Sequence, residues 1–591
     1  MKMKKYGGGY KLFAVIIIIL LMTIAVSVVK FREGEIDYYN SDATWHTLLT
    51  IRAYDETPIS DHLFLPIVSL GDEDDKGISW GSTLPDNRGN YYYTSFSPAG
   101  YFFPWLFLKL VKLPVDEMGL YVFNTFLFVL SAILLVYLLN LIYKDEKYRY
   151  FLCLAGGLCY ISAPEILHGM GIVYWHQSLM QVTLLLQTIM FYKYITDDSR
   201  ISRYLFYILA VVNPYIEWTG YVANVGFALA ELIRYWEVDR KRGFLKAIVL
   251  GMLTILSFGL FSAHYLLRVD ASAFFDVLKS RFMARNVTTT TALTSVFGSY
   301  YKSFMYLWVL LLFLLIYCFV KNGKLELKQG LLFLVFGFLV LENIIMKEHA
   351  LSYSYDRMKV IFVIVLLLCE VARNVIETTR KKIAMCLLFL LTGSTTLLNM
   401  NSYIKDDSYI WRVDYREDNQ ILADYIKKLY PTAVYASNFA IRGYMNLLFE
   451  RGIYEWVDVD QAKQLAAEKG KDEVVFIIQD GYKIQNVNVY HMNSEVVNQY
   501  DVVEHQVRSS NPNAVCVSNF TDMNWMNGIM SNVLLFERDD SLLVQFLANS
   551  QLICGGQSFE ILNVDYDNKW IRVTVDKNAD ICMYPNEILI K

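Results

Sequence analysis

Three groups of residues in this 591-residue chain have the types and spacing to do chemistry. The first is acidic and aromatic. Asp37, Asp42 and His46 lie in IDYYNSDATWHTLLTIRAY, and a tyrosine run follows, ending in FSPAGYFFPWLFLKL with Pro98 and Pro104. A carboxylate beside a reacting hydroxyl takes its proton, which is general-base catalysis worth about 10²–10⁴-fold. Asp42 also reads as the cap of a helix starting at Ala43, because Ser-Asp before an apolar-periodic run is a normal way for a helix to begin. The second group is basic. Arg281 and Arg285 stand four apart in LKSRFMARN, on one face of an expected helix. Lys347, His349, Tyr353, Tyr355, Arg357 and Lys359 crowd KEHALSYSYDRMKV. Fixed cations in a partly dry site stabilise charge developing on a leaving group; the same residues also suit snorkelling toward lipid headgroups. The third group is Glu165, His168, His176 and Glu217. With His46, the first three either assemble a divalent-cation site or line a polar cavity, and their spacing matches no short ligand motif. The GDEDDKG run (Gly71 to Gly77) lacks the spacing of a calcium loop and reads as a solvated acidic turn.

These groups need a membrane to position them. Charged residues make up only 19% of the chain, aromatics reach 15%, and the mean hydropathy is +0.31. A soluble protein is less apolar than this. The net charge of −4 carries no nucleic-acid footprint, and the eight cysteines contain no CxxC or zinc spacing. Leu12 to Val29 is near the ~20 residues that cross a bilayer and has no convincing cleavage site, so an uncleaved signal anchor is expected over 1–30. Ten further spans are expected: Leu120–Ile142, Phe151–Leu167, Ile172–Tyr192, Tyr204–Trp218, Gly220–Trp236, Phe244–Leu267, Phe304–Val320, Leu331–Met346, Val360–Ala372 and Ile383–Met400. With a cytoplasmic N-terminus, every short inner loop carries several Lys or Arg, as the positive-inside rule requires. Two outer stretches, Arg268 to Lys302 and Lys347 to Lys359, are also basic. Around the fifth and sixth spans, Asn213, Pro214, Glu217, Asn224 and Glu231 interrupt apolar sequence. The pair is either two polar spans facing a cavity or a re-entrant hairpin with Glu217 in its exposed turn.

The expected division is therefore an anchor (1–30), a first extracytoplasmic loop (31–117), a multi-spanning domain (118–400) and a soluble extracytoplasmic tail. In the tail, 401–510 alternates strand and helix, with ILADYIKKLY and VDQAKQLAAEKG helical and TAVYAS, YEWVDV and EVVFIIQD extended. Residues 511–591 turn to strands, with a hairpin about Asp567-Asn568. Cys516, Cys554 and Cys582 allow at most one disulfide, and the spacing chooses no pair.

Taken with its flanking spans, Arg32 to Pro98 resembles the multi-spanning GT-C glycosyltransferases, a class that includes protein O-mannosyltransferases and aminoarabinose transferases. SDATWHTLLTIRAY is similar to that family's acid-led helix, FSPAGYFFPWLFLKL to its proline-aromatic segment, and KEHALSYSYDRMKV to its late His/Tyr/Arg loop. The resemblance covers the layout from Leu12 to Met400. It implies a plasma-membrane enzyme that transfers a hexosyl or pentosyl group, with inversion, from a polyprenyl-phosphate donor to an envelope glycan, lipid or protein. Asp42 would be the base, with Asp37 in reserve. Arg357, His349, Lys359, Arg281 and Arg285 would hold the donor phosphate, and His46, Glu165, His176, Glu217 and Tyr353 would line the substrate cavity. Two departures leave a metal open: Asp42 is followed by Ala43 where members often have an Asp-Glu pair, and His176 stands where many have a second acid. A lipid or glycan transporter, or flippase, is the rival class, though matching broken helices in two halves are missing. An inactive envelope scaffold is the third reading, because fold alone does not establish function.

Overall fold

The computed structural model describes residues 9–32, 41–71, 76, 82–171, 173–287, 291–304, 307, 312, 316, 327–378, 380–405, 413–439, 443–480, 483–492, 496–503, 505–510, 515–516, 533–554, 557–577 and 588–590. The chain forms two compact units, one of residues 1–68 and 81–411 and one of residues 69–80 and 412–591.

The first unit is helical apart from a short hairpin in which β1 (Thr83–Pro85) pairs antiparallel with β2 (Tyr91–Tyr93). Five of its described helices are long and apolar enough to cross a membrane: Gly9–Lys30, Glu117–Ile142, Arg240–Leu266, Leu327–Ile345 and Lys381–Lys405. A sixth span results if Arg149–Ser162 and Pro164–Gly171, bent by 60° at Ala163, count as one. Proline explains the break. At the first position of the second helix its missing N–H costs nothing, while its ring prevents the preceding helix from continuing. Glu165 follows in that first turn, where a carboxylate suits the positive end of the helix dipole. The expected spans near 172–192, 204–218, 220–236 and 360–372 are helices too, His176–Asp197, Arg200–Ile216, Thr219–Tyr235 and Ile361–Thr378. They fall short of that measure of length and composition. Most of Phe304–Val320 lies outside the described residues.

The polar pair at 200–235 is two helices, and Glu217 between them is only 4% exposed, which removes the reading that places it in an exposed turn. Its buried amides are linked through Gln187 of the preceding helix: Asn213 Nδ2 donates to Gln187 Oε1 at 2.6 Å, Gln187 Nε2 to Asn224 Oδ1 at 2.9 Å, and Asn224 Nδ2 to the Ala210 carbonyl at 2.7 Å. The basic stretch Arg268 to Lys302 is also helical, as Ala271–Asn286 and Leu293–Phe304. Asp270 caps the first of these, accepting from Ala273 N at 2.9 Å.

The second unit contains two sheets. Strands β3 (Val434–Ser437), β4 (Glu473–Asp480), β5 (Lys483–His491), β6 (Val496–Val503) and β7 (Gln506–Ser510) lie in sequence order; β3 and β4 run parallel and the others antiparallel. Ala462 and Ala466 of the helix Val459–Glu468 pack on Val434, Ala436, Val474 and Phe476. YEWVDV is not a strand. Tyr454 makes one bridge to Ala436, and Trp456 at φ 57° takes a left-handed conformation that ends extension. The other sheet is built from β8 (Val515–Cys516), β9 (Val533–Glu537), β10 (Gln551–Cys554), β11 (Gln557–Tyr566), β12 (Trp570–Val575) and β13 (Ile588–Ile590), in the order β8-β13-β10-β11-β12-β9, with the helix Asp540–Ala548 supplying Leu543 and Phe546 to its core. Its β11–β12 hairpin turns where Asp567 Oδ1 accepts from Lys569 N and Trp570 N at 2.7 and 2.9 Å. The side chains of Cys516 and Cys554, and Cys582 altogether, lie outside the described residues.

Candidate functional site

The helix Ser41–Glu56 starts one residue before Asp42, but the Asp42 side chain and all of Asp37 lie outside the described residues. One turn on from Asp42, His46 sits 5.0 Å from the Tyr93 ring and 6.3 Å from Trp175. Trp175 reaches Tyr355 at 6.4 Å, and Tyr355 reaches His349 at 6.3 Å. A run of ring contacts thus joins the first loop to the late basic loop. The proline-aromatic segment is pinned over it. Tyr265 OH donates to the carbonyls of Tyr93 (2.8 Å) and Phe96 (2.7 Å), Trp218 Nε1 donates to the Ser95 carbonyl (3.0 Å), and Ser97 Oγ donates to the Tyr215 carbonyl.

Beneath this segment lies a cavity of about 470 Å³. Trp218, Tyr221, Phe258, Phe275, Leu278 and Phe282 give it an apolar side. Its polar end holds Arg281, Arg285 and Lys279 with His349, and also Glu217, Glu342 and Asp356. Arg281 is positioned by Nε to Ser95 Oγ (3.2 Å) and Nη2 to Tyr93 OH (3.4 Å), which engages two of its five N–H donors.

Lys359 organises the acids. Its Nζ lies 2.8 Å from Glu342 Oε2, 3.1 Å from Asp356 Oδ1 and 3.2 Å from Thr219 Oγ1, and the residue is 3% exposed. Thr219 N in turn donates to Glu217 Oε2 at 2.8 Å. Burial disfavours the charged form of Asp356, but the Lys359 ammonium and His349 outweigh it and hold the carboxyl well below its usual range. Burial likewise opposes charge on Lys359, and Asp356 and Glu342 outweigh it and push its pKa up. His349 Nδ1 is 3.4 Å from Asp356 Oδ2; burial and the nearby Arg285 charge nevertheless lower its pKa below the ordinary histidine value.

Glu217, Glu342 and Asp356 bring ligand atoms within 4.8 Å of one another, the acid group among the described residues that comes within reach of one ion. A divalent ion there would compete with the Lys359 ammonium for Glu342 and Asp356. The group of His46, Glu165, His168 and His176 does not assemble. His176, fully buried, packs its ring on Tyr101 (4.5 Å) and Phe96 (4.9 Å), whereas Glu165 and His168 line a different cavity.

That second cavity, about 540 Å³, also takes Arg357. Arg357 Nη2 is 2.9 Å from Glu165 Oε1, its Nε donates to Ser303 Oγ at 2.9 Å, and its Nη1 donates to the carbonyls of Ala350 and Leu351 at 2.5 and 3.0 Å. The expected phosphate-binding group is therefore divided. His349, Arg281 and Arg285 share the first cavity, Lys359 lies behind its acids, and Arg357 faces the second. Tyr353 stacks beside His349 with ring centres 4.6 Å apart. Sequence reading passed over Glu342 and Asp356. An acid inside LLFLVFGFLVLENII is a signal in itself, because ionisable groups in apolar helices face a partner or a cavity.

No protein-family model and no curated protein matches this chain. Among solved structures it is similar to ArnT from Cupriavidus metallidurans bound to undecaprenyl phosphate, at 11% identity and a TM-score of 0.47, over 78% of this chain and 93% of that one. It is also similar to the Archaeoglobus fulgidus oligosaccharyltransferase in complex with Zn and sulfate, at 10% identity and a TM-score of 0.46, over 78% of this chain and 68% of that one. Both belong to the GT-C class that the sequence resembles.

Proposed function

We propose that the chain is a membrane glycosyltransferase that moves a sugar, with inversion, from a polyprenyl-phosphate donor to an extracytoplasmic glycan, lipid or protein. One observation carries the reading: the first cavity combines an aromatic wall suited to an isoprenoid chain with Arg281, Arg285 and His349 at its polar end. The resemblance of the first loop supplies the reaction class. The acceptor oxygen attacks the anomeric carbon, the bond from that carbon to the phosphate oxygen breaks, and the phosphate leaves with the electron pair. Arg281 and Arg285 stabilise the departing charge in a partly dry site. Asp42 takes the acceptor proton, with Asp37 in reserve. No step is assigned to a metal.

The test is transfer from an undecaprenyl-phosphate-linked sugar in proteoliposomes. Asp42→Asn is expected to insert normally and lose about 10²–10⁴-fold in rate. Arg281→Ala and Arg285→Ala are each expected to weaken undecaprenyl phosphate binding by roughly ten- to a hundredfold, since a hydrogen bond to a charged group is worth about 1.5–3 kcal/mol. Full transfer by both Asp42→Asn and Asp37→Asn would leave the reaction without its base. Unchanged lipid-phosphate affinity in both arginine variants would return them to the membrane surface.

A further inference from the structure

The second cavity has the wrong chemistry for an anion. Four of the five N–H donors of Arg357 are already engaged, one by the Glu165 carboxylate that neutralises it, and Lys302, the other ammonium or guanidinium of the lining, is exposed. Beside His168, what remains is hydrogen-bonding and uncharged: Asn399 with Ser295, Ser354 and Ser402, and the oxygens of Ser299 and Ser303, whose hydroxyls donate to the carbonyls of Val296 and Ser299. Asn399 is 1% exposed, and neither its Oδ1 nor its Nδ2 has a hydrogen-bond partner among the described residues; Ser354 Oγ is in the same state. A buried amide is normally paired. An anion could answer only the Nδ2 donor and a cation only the Oδ1 acceptor. A hydroxyl answers both, and two neighbouring hydroxyls on a ring answer them at once.

The chain builds this lining on purpose-placed elements. Asn399 and Ser402 come from the C-terminal end of the helix Lys381–Lys405, Ser295, Ser299 and Ser303 from Leu293–Phe304, Ser354 from Ser354–Arg357, and Glu165 from the helix that starts at Pro164. Gly171 lets the Tyr403 side chain close one side, because a Cβ there would collide with the Tyr403 hydroxyl. The volume lies within the ~300–1,000 Å³ of small-molecule sites.

We propose that this cavity binds a neutral, hydroxyl-rich group, a glycosyl unit, through the Asn399 amide and the serine hydroxyls, at a site separate from the phosphate-binding cavity. Its ligand is either the end of a soluble glycan or a sugar carried on a lipid. The assignment stands on its own residues and does not need the donor reading of the first cavity.

The experiment is saturation-transfer NMR on the full-length protein in nanodiscs, with methyl α-glucoside and methyl α-mannoside as soluble probes and monoglucosyl diacylglycerol as the lipid-borne probe. Signal transfer to the sugar ring protons is expected from the wild type. Asn399→Leu is expected to weaken it about tenfold or more. Ser402→Ala, at an exposed position, serves where Asn399→Leu does not fold, and is expected to weaken it in the same direction. Both variants keep the undecaprenyl phosphate affinity of the wild type, so a failure here is distinct from a failure of the first cavity. A response to the methyl glycosides assigns a soluble glycan, and a response to the glycolipid alone assigns a lipid-borne sugar. No transfer from any probe, transfer untouched by the variants, or displacement by inorganic phosphate that persists in Arg281→Ala would overturn the proposal.

Discussion

Lys359 shows how tightly single residues are tied together here. Its ammonium is the counter-charge for Asp356 and Glu342 in a place almost closed to water. Removing one partner of such a buried pair leaves an uncompensated charge, which costs about 3–5 kcal/mol. Lys359→Met is therefore expected to lower the melting temperature of the purified protein markedly, and Glu342→Gln placed in the same chain is expected to restore part of the loss. A second residue sets a pH dependence. His62 in the first loop is fully buried, its Nδ1 accepts from Phe64 N at 2.8 Å, and burial lowers its pKa to about 4. The unfolded chain has an ordinary histidine value near 6.5, so between those limits the unfolded state binds more protons. The stability contributed by neutral His62 is complete above about pH 6.5 and falls as the pH drops toward 4. Denaturation midpoints measured across that window should flatten in His62→Gln. A slope identical to that of the wild type would place the titrating group elsewhere.

At the scale of elements, the sequence made some features plain and hid others for definite reasons. Long apolar runs exposed the five helices long enough to cross a membrane, and Asp567-Asn568 marked its hairpin because an aspartate can satisfy its own turn. The helix Ala271–Asn286 was legible around Arg281 and Arg285, but its start was not. Its signal was Asp270 as a cap with Phe274, Leu278 and Phe282 at four-residue spacing. The division of the late basic loop between two cavities was not legible, because neighbouring residues of a short helix point apart by an angle that depends on what packs around them. Asp356 and Arg357 differ by one position and face different spaces. Among the caps, Asp458 makes a full capping box with Gln461 at the start of Val459–Glu468. Asp458→Ala is expected to destabilise the second unit by about 1 kcal/mol, read from its denaturant midpoint.

For the whole molecule, a membrane-impermeant maleimide added from outside is expected to modify a cysteine placed at Lys463 and to spare cysteines at Lys241 and Lys381. Labelling at Lys381 with protection at Lys463 would reverse the orientation. The short helix Ser354–Arg357 bears on the molecule as a working unit, because it is the shared wall of both cavities, with Asp356 on one side and Ser354 and Arg357 on the other. Four residues of one helical turn cannot shift on one side and stay still on the other. Occupancy of either cavity is thus a perturbation of the other, and binding free energies require the effect to be reciprocal. Whatever factor a saturating glycoside applies to the affinity for undecaprenyl phosphate, the lipid phosphate must apply to the glycoside.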